Sequence, residues 1–85
     1  MKTLHILRHL DDERALATAI THAREHPTSI LLLQDAVLAR VADFPGPVYA
    51  SAEDVAARVN IAGYELVDYD RIVQLIFEHD KVITW

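Results

Sequence analysis

The residues of this chain with chemical potential are five histidines, thirteen carboxylates and two serines; there is no cysteine. His22-Ala23-Arg24-Glu25-His26 matches the pattern H-x-x-E-H. On a helix, imidazoles at i and i+4 face the same way and can hold zinc, with the glutamate as general base. The match lies just before Pro27 and has no evident third ligand. A histidine in a last helical turn is also favoured simply as a cation, so the pair reads as structural. His5 and His9 are too far apart to share a metal on an extended segment, about 13 Å at ~3.3 Å per residue. His5, between Leu4 and Ile6, falls on the opposite strand face, where a packed or hydrogen-bonded role fits. His9 follows that strand, available as an acid or base near neutral pH or as a solvated loop residue. No G-x-S-x-G surrounds Ser29 or Ser51, so neither sits in a nucleophile elbow. Ser51 with Asp54 resembles a capping box. Asp35 and Asp68 are the carboxylates a strand edge would bring together, although a helix cap and a strand end also account for them.

Composition excludes several classes. Without cysteine there is no disulfide, thiolate metal site, cysteine nucleophile or persulfide carrier. Gly46 and Gly63 are the only glycines, so neither a dinucleotide fingerprint nor a phosphate loop can be built. Eight Lys and Arg against thirteen Asp and Glu give a net charge of −5, and the six arginines are scattered. That balance argues against direct binding to nucleic acid, which needs clustered cations. The longest uncharged apolar run, Ile30 to Leu33, is far short of the ~20 residues that span a membrane. The start, with His5, Arg8, His9 and Asp11, lacks the apolar core of a signal peptide, so a soluble cytoplasmic protein is expected. At 85 residues, 52% of them hydrophobic, one domain over 1–85 is expected, burying only about 60–65% of its unfolded surface. Some apolar surface is therefore expected to meet a partner.

Two periodicities alternate and set the frame for these residues. Strands are read at Thr3–Arg8, Ser29–Gln34, Val48–Ala50, Tyr64–Asp68 and Val82–Trp85. Helices are read after Asp11-Asp12-Glu13 up to the stop at Pro27, over about Ala36–Ala42 behind an Asp35 cap, from Ser51 to about Val59, and over about Asp70–His79. Phe44-Pro45-Gly46-Pro47 reads as a turn, and Asn60 to Gly63 as a break. This βα alternation implies an α/β domain with a mainly parallel sheet of four to five strands and helices on both faces. Its working edge would lie at the carboxyl ends of the strands, carrying His9, Gln34, Asp35, Ser51 and Asp68. The last helix holds Ile72, Val73, Leu75, Ile76 and Phe77, more apolar arc than one sheet contact needs. Its outer side is expected either to meet another chain or to be covered by C-terminal residues. Tyr64, Tyr69 and Trp85 are either core residues or interface anchors.

Six segments recur in the order of a known family: Leu4-His5; Leu31-Leu32-Leu33-Gln34-Asp35-Ala36-Val37; Val48-Tyr49-Ala50; Glu53-Asp54-Val55-Ala56-Ala57-Arg58; Val67-Asp68-Tyr69; and Trp85. On these the chain resembles the TusB/DsrH family of small sulfur-relay subunits over nearly its whole length. It departs at Ala36 and Val59, where the family usually has glycine.

The resemblance implies a three-layer α/β/α domain of the DsrEFH-like type. It implies assembly with DsrE/TusD-like and DsrF/TusC-like subunits in a heterohexamer that passes persulfide sulfur, either toward tRNA wobble-uridine 2-thiolation or in dissimilatory sulfur oxidation. The sulfur-carrying cysteine belongs mainly to the DsrE/TusD-like partner, so this chain is expected to be a non-catalytic subunit with no cofactor. Tyr69, Ile72, Ile76 and Trp85 are the expected association residues, and Gln34 and Asp35 would shape the edge near a partner's cysteine. Two other readings stay open. One is a stand-alone homodimer of unrelated role; the other is a small ligand-binding domain using His9, Asp35 and Asp68.

Overall fold

A computed structural model describes residues 1–41, 43–58 and 64–85. The order of elements is β1 (Thr3–Leu7), α1 (Glu13–Ala23), β2 (Thr28–Leu32), a 3-10 turn (Gln34–Leu38), β3 (Val48–Ser51), α2 (Ala52–Arg58), β4 (Glu65–Val67), α3 (Tyr69–Glu78) and β5 (Lys81–Thr84). The five strands form one sheet in the order β4-β3-β2-β1-β5, and every pairing is parallel. The chain walks outward from β1 to β4, then α3 carries it back across the sheet to place β5 beside β1.

Strand alternation sorts the core into two layers. Leu7, Ile30, Leu32 and Ala50 point to one face and pack with Ala15 and Ala19 of α1, Ala36 and Val37 of the 3-10 turn, and Val55 of α2. Leu4, Ile6, Leu31 and Val67 point to the other face and pack with Leu75 and Ile72 of α3. The result is the expected α/β/α sandwich, with β1 and β2 buried along their whole length, as parallel strands covered on both sides must be.

Local signals account for the helix starts. Asp12 caps α1 by accepting the Ala15 N–H at 3.0 Å, and Asp68 caps α3 by accepting the Arg71 N–H at 2.8 Å. The Ser51 hydroxyl accepts the Asp54 N–H at 3.3 Å at the head of α2. Gly46 is required by close approach: a Cβ there would run into the Thr28 carbonyl of β2.

One expected element is different. The helix read over Ala36–Ala42 is a short 3-10 turn, Gln34–Leu38, and Ala39 is already extended. Asp35 does not cap it; its carboxylate accepts from Arg58 Nε at 2.9 Å instead. Tyr64 holds the following segment away from helical geometry, donating its hydroxyl to the Ala39 carbonyl at 2.8 Å and accepting the Val41 N–H at 2.9 Å. The readings that fell on Ala42 and on Val59 to Gly63 lie outside the described residues.

Candidate functional site

The carboxyl edge has a defined switch point. The strand order reverses at β1, which lies between β2 and β5, so the crevice of a doubly wound sheet falls at the carboxyl ends of β1 and β5. Ser51 and Asp68 stand at the ends of β3 and β4 along the same edge, and both side chains are used as helix caps. Beside Ser51 stands a small clamp. Gln34 turns off β2 with φ 52°, a left-handed conformation rare for a non-glycine residue. Its N–H donates to Asp54 Oδ2 at 2.9 Å. Arg58 then joins Asp35 at 2.9 Å and Asp54 at 3.5 Å. The structure thus brings Gln34, Asp35, Asp54, Arg58 and Ser51 together. His9 stands apart, exposed in the turn after β1. His9, Asp35 and Asp68 line neither of two surface hollows. One of these, about 480 Å³, lies at the opposite, amino edge beside Lys2, His26, Ser29, Gly46 and His79. The other, about 350 Å³, lies between Leu7, Leu10, Leu16 and Leu38, with Asp11 and Glu13 at its rim.

The histidines form a second arrangement. His5 is fully buried on β1. Trp85 Nε1–H donates to His5 Nδ1 at 3.0 Å, and the rings stack with centroids 6.1 Å apart. His5 Nε2 meets His22 Nδ1 at 2.9 Å, and His26 Nε2 pairs with the Thr3 hydroxyl at 3.0 Å. Burial, aided by the nearby His22, His26 and Lys81, lowers the His5 pKa from 6.5 to about 4, because a charged imidazole loses its hydration there. His22 Nδ1 is therefore committed to His5 rather than available to a metal. Among the described residues, no group of three or more His, Cys, Asp or Glu is placed to hold a metal ion. His79 is equally engaged: Nδ1–H donates to the Leu75 carbonyl at 2.6 Å and Nε2 accepts from the Ser29 hydroxyl at 3.1 Å.

The expected association residues divide. Tyr69 is 76% exposed and Ile76 is 38% exposed on the outer side of α3. Ile72 packs inward against the core cluster that holds Leu4 and Leu31, and Trp85 packs inward beside His5. Phe77 was not among the expected anchors, yet among the described residues it is the most exposed large apolar one, at 83%. Helical spacing sets it, one turn beyond Val73, on the same stripe as Tyr69 and Ile76.

A family model described as DsrH like protein matches residues 11–82. The chain belongs to the DsrH-like family. At family level, DsrH-like proteins are subunits of sulfur-relay complexes, which work with partner subunits. No curated protein matches this chain. In this DsrH-like chain the motif Leu31–Val37 is the end of β2, the left-handed Gln34 and the 3-10 turn. Ala36, standing where the family usually has glycine, is fully buried in that turn. Among the described residues, no helix is long and apolar enough to cross a membrane.

Sequence reasoning missed the His5–His22 contact, which joins positions 17 residues apart. A faint signal existed: a histidine flanked by Leu4 and Ile6 on a strand, and a helix of small residues able to approach it closely, Ala15, Ala19 and Ala23.

Proposed function

We propose that this DsrH-like chain is a non-carrier subunit of a cytoplasmic sulfur-relay complex, serving tRNA wobble-uridine 2-thiolation or dissimilatory sulfur oxidation. The observation that carries this reading is the joint presence of family membership and no cysteine at all. Persulfide relay runs through thiolates, so the sulfur must travel on a partner's cysteine. The partners are DsrE/TusD-like and DsrF/TusC-like subunits. The outer stripe of α3, with Tyr69, Ile76 and Phe77 exposed, is the surface that would meet one of them. Its composition fits an interface core, where aromatic residues are enriched and charges depleted. The side-chain clamp around Gln34 has a supporting role in shaping the carboxyl edge.

Co-expression of the three subunits tests this reading. The tagged chain should co-purify with both partners, and the complex should carry sulfur from a cysteine desulfurase donor. Failure of both partners to co-purify would sink the proposal. Light scattering on the chain alone then decides whether the α3 stripe joins two copies as a homodimer instead. The identity of genomic neighbours separates the two pathways: dissimilatory sulfite reductase genes would point to sulfur oxidation.

A further inference from the structure

The His5–His22 contact has only one set of proton positions that satisfies it. The indole Nε1 of Trp85 is a donor and never an acceptor, so His5 Nδ1, 3.0 Å away, must be unprotonated. Neutral His5 then carries its proton on Nε2. That N–H is buried with the rest of the residue and reaches His22 Nδ1 at 2.9 Å. His22 Nδ1 is therefore an acceptor, and the His22 proton sits on Nε2. The chain reads Trp85 N–H to His5, His5 N–H to His22.

An added proton is incompatible with this chain at either ring. On His22 it fills Nδ1 and sets two N–H groups against each other. On His5 it fills Nδ1 and opposes the Trp85 N–H. The other paired histidines differ. His26 faces the Thr3 hydroxyl, and His79 faces the Ser29 hydroxyl and a carbonyl. A hydroxyl donates or accepts by rotating, so those contacts survive protonation. The charged or titratable groups facing His5 are His22 from α1, His26 from the turn that follows it and Lys81 from β5. Its β2 neighbour, Ile30, is apolar. Among the described residues, no carboxylate offsets the charge of a protonated His5. His22 is half-exposed and is the member that solvent protons reach.

We propose that the His5–His22 pair is a proton-operated latch that fastens the end of α1 to β1 and opens when His22 is protonated. Opening acts on the backbone that His22 anchors, where the N–H groups of Glu25 and His26 both donate to the His22 carbonyl at 3.0 Å. These amides report the state of the latch. Trp85, the only tryptophan, reports it from the other end, since its ring stacks on His5.

Two measurements on the full chain test the latch. Imidazole ¹⁵N spectra at pH 7.5 should show the proton on Nε2 of both His5 and His22; a proton on Nδ1 of either would overturn the proposal. Amide hydrogen exchange at pH 7.5 and pH 5 should show protection of Glu25 and His26 falling at least tenfold in the wild type, with a matching change in Trp85 emission. In His22→Gln, whose amide oxygen accepts from His5 and takes up no proton, protection should stay level. His26→Gln should behave as the wild type. Equal loss of protection in His22→Gln, or none in the wild type, would overturn the latch.

Discussion

Helices α1 and α3 cover opposite faces of the same sheet, yet they solve opposite problems. The inner side of α1 is built from Ala15 and Ala19 and ends in His22, whose polar atom is matched to His5. Its outer side shows Glu13, Arg14 and Thr21 to solvent, as a helix that needs no further contact does. α3 covers the sheet through the apolar Leu75 and Ile72, with His79 at its cap reaching the Ser29 hydroxyl. It then carries a second apolar stripe outward through Tyr69, Ile76 and Phe77. The difference separates a finished face from an unfinished one. Buried polar groups that are all matched, as among the described residues here, belong to a face that needs no partner chain. Exposed aromatics on one helix stripe fit the partner-facing surface proposed above.

The largest test of this contrast lies on the inner side of α3. Leu75 is fully buried between α3 and the sheet. Leu75→Ala should cost about 3 kcal/mol, the usual range for truncating a buried leucine being roughly 2–5 kcal/mol. Urea denaturation reads it as a lower midpoint with unchanged slope. A loss below about 1 kcal/mol would mean that α3 is only loosely held, and the contrast with α1 would then rest on weak packing rather than on an unfinished outer surface.

The next effect belongs to the α1 side. His5 titrates near 4 when folded and near 6.5 when unfolded, so the unfolded chain binds more protons between these values. Stability contributed by neutral His5 is fully present above about pH 6.5 and is lost as pH falls toward 4. Between pH 7.5 and pH 5 this amounts to about 2 kcal/mol. Urea midpoints at the two pH values measure it, and His5→Phe should flatten the dependence. An equally steep loss in that variant would place the titrating group elsewhere.

A smaller effect concerns the segment that follows the 3-10 turn on the α1 side of the sheet. Tyr64→Phe removes the hydroxyl that bridges Ala39 and Val41. Leaving the Val41 N–H without this partner should cost about 1–2 kcal/mol. Thermal unfolding reads the loss, which should not change with pH. That distinguishes this neutral bridge from the histidine latch.

The frame of this contrast was legible in the sequence, and its details were not. Alternation placed Leu4 and Ile6 opposite His5, and the long apolar run marked β2, because parallel strands buried on both faces impose such patterns. The excess apolar arc of α3 was legible for the same reason: a helix needs only one stripe to pack. Strand order was not, since nothing local records that α3 returns the chain to the β1 side of the sheet. The 3-10 turn was misread because Asp35 has the chemistry of a cap, while its actual partner, Arg58, is set by tertiary folding. Trp85 was open between core and interface, and nothing local in the sequence records that its indole N–H finds His5, 80 residues away.

The smallest effect on stability should come from the outer stripe, and it separates folding from association most cleanly. Phe77 is 83% exposed, so Phe77→Asp should alter the stability of the isolated chain by less than about 0.5 kcal/mol. In the co-expressed complex the same change places a charge in an apolar contact without a counter-ion, where burial of an unpaired charge is strongly opposed. Recovery of at least one partner subunit should fall by tenfold or more in a pull-down. Tyr69→Asp, two turns away on the same stripe, should reproduce the loss, whereas Thr21→Asp on the outer side of α1 should leave it unchanged. If Thr21→Asp disrupts assembly and Phe77→Asp does not, the two faces have been assigned the wrong way round. Because neither aromatic carries the fold, their presence on α3 is then accounted for by what they bind, which is the property that distinguishes this helix from α1.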